Sequence, residues 1–226
     1  MKRIVFIIVA ILAVSCDTKT EFDAQGTFEA TEVVISSEAT GRILDFDIEE
    51  GMVIEAGQPL AQIDSVQLEL QRSQLEAQLS TFNTNSNAEV IRAQIAALDD
   101  RISKCHVLSP ISGTILVKYA QEGELATIGK PLVKVADLNN IYLRAYFTSD
   151  QLANIKLGDE VTVTADFGGE ERYDYIGRVA WISAESEFTP KSIQTKDSRA
   201  NLVYAVKIAV KNDGRLKIGF VGEVKL

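Results

Sequence analysis

The chain has 226 residues, 46% of them hydrophobic and 24% charged, an ordinary globular composition with length for one large or two small domains. Its formal net charge is −9, whereas nucleic-acid binding needs a basic stripe, so no nucleic-acid partner is expected. One histidine, two cysteines and methionine only at Met1 and Met52 leave a soft-metal site short of ligands. Cys105 therefore reads as a small buried apolar residue, and no metal or cofactor is expected.

In chain order, Met1-Lys2-Arg3 forms a basic head and residues 4–14 an unbroken apolar run ending at Ser15-Cys16. The run is shorter than the roughly 20 residues that span a bilayer, as in a secretory signal. Leu12-Ala13-Val14-Ser15-Cys16 resembles a bacterial lipobox, with its leucine one place further upstream than in the commonest form. That resemblance implies a signal peptide over residues 1–15 and acylation of Cys16, whose several acyl chains exceed what stable anchoring needs. Asp17 implies, by the rule of enteric bacteria, retention at the inner membrane. With Cys16 lipidated, Cys105 has no partner for an intramolecular disulfide.

A linker is expected over 16–26, followed by a gapless repeat. Gly41, Ile43, Leu44, Glu50, Gly51, Gly57, Pro59 and Leu60 recur 72 residues on as Gly113, Ile115, Leu116, Glu122, Gly123, Gly129, Pro131 and Leu132. Each copy reads as short strands, with Leu44, Phe46 and Ile48 alternating with Asp45, Asp47 and Glu49 at the period of a half-buried strand. The second copy's alternation, Ile115, Val117 and Tyr119, runs on the opposite phase. A unit of a few short strands cannot bury its apolar face alone, so the copies over 27–65 and 106–137 are expected to face each other as a flattened sandwich. That arrangement resembles the lipoyl/biotinyl domain.

Between the copies, over 66–105, the period lengthens to about 3.5, the mark of coiled-coil seams. Leu68, Leu75, Leu79 and Phe82 form one seam, interrupted at Arg72, whose long side chain can snorkel. Ile91, Ile95, Leu98, Ile102 and Cys105 form the other. Residues 83–87 read as a polar turn, and Ser86-x-x-Glu89 as a capping box opening the second helix. An antiparallel hairpin of about 18 residues per helix, roughly 27 Å long, is expected.

From 138 to 226 the pattern returns to β, with strands expected over 141–147, 161–165, 175–182, 203–210 and 222–226. Thr148-x-x-Gln151 is a capping box for a short helix carrying Leu152 and Ile155, stopped at Gly158. Asn212-Asp213-Gly214 marks a turn. Trp181 is expected in the core, and residues 183–199 as a solvated loop. Short strands with one helix suggest a small β-barrel.

The expected fold is thus mainly β: a lipoyl/biotinyl-like β-sandwich split by an antiparallel coiled-coil hairpin, then a small β-barrel. Together with the lipobox it resembles the HlyD or membrane-fusion family of periplasmic adaptors. Ser109-Pro110-Ile111-Ser112-Gly113-Thr114-Ile115 looks like that family's entry into its second lipoyl half. Leu216-Lys217-Ile218-Gly219-Phe220 resembles its closing turn, with Ile218 where proline is usual and Phe220 where methionine is. The resemblance implies a non-enzymatic adaptor in the periplasm, lipid-tethered to the inner membrane and assembled as a homo-oligomer, commonly a hexamer. Its implied partner is an inner-membrane transporter of ABC type, within an efflux or secretion pump.

An outer-membrane channel is a further implied partner. Channel-docking adaptors carry Arg, then Leu four residues on, then Ser seven further. Here Leu79 and Ser86 keep the second spacing and Leu75 stands where arginine would be, so Leu79, Phe82 and Ser86 are the tip candidates. A lipoyl or biotinyl carrier would use a lysine between the two halves, and none occurs between Lys19 and Lys104. An envelope lipoprotein that binds a ligand or peptide is the alternative from another class.

Overall fold

The computed structural model describes residues 22–81, 85–168, 171–188 and 202–226, of which 85–87 are described by backbone alone. Its strands are β1 (Ala24–Ser36), β2 (Gly41–Asp45), β3 (Val53–Ile54), β4 (Pro59–Ile63), β5 (His106–Leu108), β6 (Gly113–Lys118), β7 (Leu125–Ala126), β8 (Pro131–Phe147), β9 (Glu160–Asp166), β10 (Arg172–Phe188), β11 (Leu202–Lys211) and β12 (Val221–Lys225). Its helices are α1 (Val66–Thr81), α2 (Asn85–Ser103) and the short α3 (Ser149–Leu152). They divide into a sandwich unit, Phe28–Tyr142 with Val210–Gly219, and a barrel unit made of the described residues up to Thr27, Leu143–Ala209 and Phe220–Leu226.

The repeat becomes a pseudo-two-fold pair of layers in which each copy completes the other's sheet. β3 pairs with β6 (Val53↔Thr114) while β7 pairs with β2 (Leu125↔Arg42). The backbone bonds come in matched pairs: Gly51 N–H donates to Ile115 O and Gly123 N–H to Ile43 O, both at 2.8 Å. Ile115 N–H and Ile43 N–H return the bonds to Met52 O and Glu124 O, both at 2.9 Å. The positive φ of Gly51 and Gly123, 88° and 85°, is why glycine recurs at that turn. The symmetry begins earlier than the residue identities suggest. Ser37 and Ser109, each 2% exposed, donate their hydroxyls at 2.6 Å to the carbonyls of Ala39 and Ile111.

The structure corrects the expected buried face. Leu44 is 47% exposed, and the core takes Ile43, Phe46 and Ile48. The β2–β4 register shifts between Ile43 and Asp45, and the β6–β8 register shifts at the equivalent place, between Ile115 and Val117. A residue gained at each shift reverses the inward alternation. The second copy obeys the same rule, with Ile115 and Ala120 buried and Tyr119 43% exposed. Its opposite-phase pattern therefore runs from the buried Ile115 through half-buried Val117 out to the exposed Tyr119. Lys118 stands where the first copy has Phe46; its ammonium lies 4.7 Å from that ring's centre and donates to Phe46 O and Ile48 O, both at 2.9 Å.

In the barrel unit the strand order is β1-β12-β9-β10-β11-β8, and a β1–β8 pairing closes it. A Cβ on Gly26 would lie 2.1 Å from Arg144 O, so closure here needs glycine. Ala24 and Gly26 pair with Val224 and Gly222, so the end of the linker expected over 16–26 is barrel strand from Ala24 on; residues 16–21 lie outside the described residues. Val161, Val163, Ala165, Val179 and Val224 fill the interior. The α3 capping box forms as expected, with Thr148 as cap and Gln151 as its reciprocal partner. Gly158 follows at φ 92°.

Three expectations in this region change. Trp181 is 42% exposed, with Lys207 Nζ 5.9 Å from its ring centre. Residues 183–188 continue β10, and Glu187 pairs with Arg144 at 2.8 Å; Lys191, Lys196 and Arg199 of the expected loop lie outside the described residues. The Asn212 turn forms, its carboxamide oxygen accepting from Gly214 and Leu216 N–H at 2.9 and 3.0 Å. It belongs to the sandwich unit, however, because Asn212 N–H donates to Asn139 O and Gly219 N–H to Phe28 O.

Candidate functional site

The helical hairpin leaves the sandwich after β4 and returns at β5, and its base is fixed by local chemistry. Asp64 Oδ1 accepts from Val66 N–H at 3.0 Å, and Ser65 O accepts from Leu68 and Glu69 N–H at 2.9 and 3.0 Å. The Asp64 and Ser65–Leu68 contacts satisfy amides that a helix start leaves without i−4 partners, and the Ser65–Glu69 bond is the first of the helix. On α1 the half-buried positions are Leu68, Arg72, Leu75 and Leu79, which is the predicted seam with the arginine included. On α2, Ala88, Ile91 and Leu98 are buried, with Ile95 and Ile102 half-buried between and beyond them. Cys105 ends the stripe at 1% exposure, its Sγ 3.4 Å from Arg101 O. Burial pushes its thiol pKa up.

Arg72 occupies the seam by snorkelling. Its Nε meets Glu76 at 3.0 Å on its own helix and Asp99 at 3.2 Å across the hairpin. The guanidinium thus stays partly solvated while its stem covers the seam.

Helix α2 opens at Asn85, so Ser86 lies within its first turn rather than ahead of it, and the expected turn over 83–87 shrinks. The first helical turn tolerates Asn and Ser, which lets the helix begin earlier than the capping pattern indicates. Of the tip candidates, Leu79 is half-buried in the seam. Phe82 lies outside the described residues, as do the Ser86 side chain and Cys16. The helices have 16 and 19 residues, about 24 and 28 Å at ~1.5 Å per residue. Among the described residues no cluster suits a metal ion, and no helix is long and apolar enough to cross a membrane.

A split sandwich carrying a coiled-coil hairpin is the architecture of membrane fusion proteins, and residues 31–138 match the family model described as "RND MFP, barrel-sandwich hybrid domain". These residues, just under half of the chain, are similar to that domain. Among solved structures, a MacA–MexA chimera containing the Pseudomonas aeruginosa MexA α-hairpin superposes with TM-score 0.66 at 19% identity, over 89% of this chain and 79% of that one. The membrane fusion protein Spr0693 from Streptococcus pneumoniae gives 0.60 at 17%, over 89% and 97%. At those identities the likeness establishes fold. Among curated proteins, the UPF0194 membrane protein of Yersinia enterocolitica is 32% identical over 46% of this chain and 31% of its own length. YbhG of Salmonella arizonae is 29% identical over 53% and 36%. The matched stretch thus covers about a third of these relatives.

Proposed function

We propose that this chain is the periplasmic adaptor of an inner-membrane transporter in an efflux or secretion pump. In this reading acylated Cys16 tethers it to the inner membrane, protomers assemble into a hexameric ring on an ABC-type transporter, and the hairpins line a conduit. The chain makes and breaks no bonds; it holds and seals. The observation that supports this best is the hairpin itself, a two-helix projection inserted where the sandwich only needs a turn. Lengthening a surface connection costs little stability, so the insertion is available for a function separate from folding. An outer-membrane channel would be met at the tip, around Leu79, Phe82 and Ser86.

The test is replacement of residues 66–104 by a short Gly/Ser turn in the full chain. The expected product is folded and membrane-bound and has lost transport. Retained transport would refute the conduit role; unfolding of the whole chain would show that the hairpin is integral to the sandwich. Leu79→Asp is the milder form. A charge placed in the seam should open the hairpin, read as lost helicity, while the barrel strands persist.

A further inference from the structure

At one end of the barrel unit the start of the described chain and its final strand are bound together. Asp23 N–H donates to Val224 O at 2.8 Å, and Asp23 Oδ2 accepts from Leu226 N–H at 2.8 Å. Asp23 O accepts from Gln151 Nε2 of α3. The pairings Ala24↔Val224 and Lys225↔Thr162 bring residues 23 and 226 level with the start of β9. The turn before β9 is equally fixed: Lys156 N–H donates to Asp159 Oδ2 at 2.7 Å, and Gly158 N–H to Val179 O at 2.8 Å.

This well-bonded rim nevertheless exposes apolar side chains. Leu157 is 69% exposed and Leu226 48%, and Ile176, opposite Thr162 and so level with Lys225, is 79% exposed. Each leucine directly follows an exposed lysine, Lys156 and Lys225. A leucine beside a lysine suits the boundary between lipid headgroups and acyl chains, because the lysine stem lies along apolar surface while its ammonium reaches the phosphates. The rim is not a basic patch. Asp23, Asp150, Asp159 and Glu160 share it, Asp159 accepting the Lys156 amide and Glu160 pairing with Arg178 at 2.9 Å. Charge alone would therefore not hold it to a membrane.

The tether supplies what charge does not. From Cys16 to Phe22 an extended chain spans at most about 20 Å, and so short a link raises the local concentration of rim against bilayer to roughly the millimolar range. We propose that this end of the barrel unit rests on the lipid surface that holds the anchor, with Leu157 and Leu226 in the headgroup–acyl boundary and the Lys156 and Lys225 ammonium groups at the lipid phosphates. The proposal depends on the lipid-anchor reading of Cys16.

The test uses the full lipidated chain in phosphatidylethanolamine–phosphatidylglycerol vesicles with brominated acyl chains. The lone tryptophan is first removed by Trp181→Phe. Leu157→Trp is then compared with Ile128→Trp, whose site is 75% exposed on a turn of the sandwich unit. Emission at 157 should fall by about half relative to unbrominated vesicles, as for a residue in the membrane interface, while emission at 128 stays unchanged. Should Leu157→Trp fold poorly, Leu226→Trp reads the same rim. Flotation of the vesicles reports the anchor separately. A chain that floats but shows equal emission changes at the rim and at 128 overturns the rim contact alone. A chain that does not float overturns the anchor reading, and this proposal with it.

Discussion

The two copies of the repeat share a backbone and a limited set of residues. Their turns, reciprocal hydrogen bonds and buried serines coincide at an offset of 72 residues, yet Phe46 answers to Lys118, Ile48 to Ala120 and Val53 to Leu125. A fold of this kind is specified by a few positions where the backbone must turn, approach closely or bond a buried hydroxyl. Elsewhere the copies have diverged into different surfaces. They also lead to different places: after Ile63 the first copy passes into α1, whereas at the equivalent residue, Val135, the second simply continues along β8.

The sharpest test of this equivalence is at Gly113 and Gly41. A Cβ on Gly113 would lie 2.4 Å from Ala136 O, a backbone atom that cannot move without distorting β8. At Gly41 the contacts are longer, the Ile63 Cγ2 methyl at 2.9 Å and Asp64 O at 3.0 Å, so a smaller shift makes room. Gly113→Ala should cost about 3 kcal/mol or more in urea unfolding and Gly41→Ala about 1–2 kcal/mol, in the range of overpacked sites. Equal costs would mean that the copies are more alike in packing than these contacts indicate.

The serines should behave the other way, as true equivalents. Ser37→Ala and Ser109→Ala each remove one buried hydroxyl bond to a carbonyl at 2.6 Å, and Ser37 also gives up a long 3.3 Å bond accepted from Ala39 N–H. Each should cost about 1–2 kcal/mol, matching to within ~0.5 kcal/mol. A large inequality would break the symmetry argument at its best-matched point.

Smaller effects are expected in the hairpin, where no mate constrains the sequence. Arg72 and Asp99 are 42% and 52% exposed, so Arg72→Met should change stability by about 0.5 kcal/mol or less, the loss of a screened pair being offset by apolar cover of the seam. A double-mutant cycle with Asp99→Asn measures the pair directly. The least perturbing probe is chemical. In Cys16→Ser, where Cys105 is the one remaining thiol, a thiol reagent at pH 8 should react only on unfolding, since burial raises the thiol pKa and denies access. Rapid reaction in the native state would place Cys105 at a mobile hairpin base.

Much of the architecture was legible because it is local. The hairpin seams follow from the spacing of Leu68, Leu75, Leu79, Ile91, Ile95 and Leu98, and the α3 cap from Thr148 and Gln151, three residues apart. The glycine turns and the 72-residue offset need only the order of the residues, because each rests on backbone geometry within a few positions. The tip of the candidate site was less legible, since Ser86 fits a cap and a first-turn position equally well by sequence and only the helix start at Asn85 separates them.

Four features were decided by tertiary structure alone. The register shifts that put Ile43 rather than Leu44 inside depend on strands 20 or more residues distant, as Ile43↔Ile63 shows. The placing of Ala24 and Gly26 in the barrel depends on partners at Val224 and Gly222, at the far end of the chain. The membership of Val210–Gly219 in the sandwich unit rests on bonds to Asn139 and Phe28. Trp181, two residues beyond buried Val179 on β10, is 42% exposed, which an even alternation along the strand would not give. Each of these is settled by pairing between distant segments, where a shift of one residue exchanges inside for outside, and a sequence pattern read locally carries no information about which register the partner will impose.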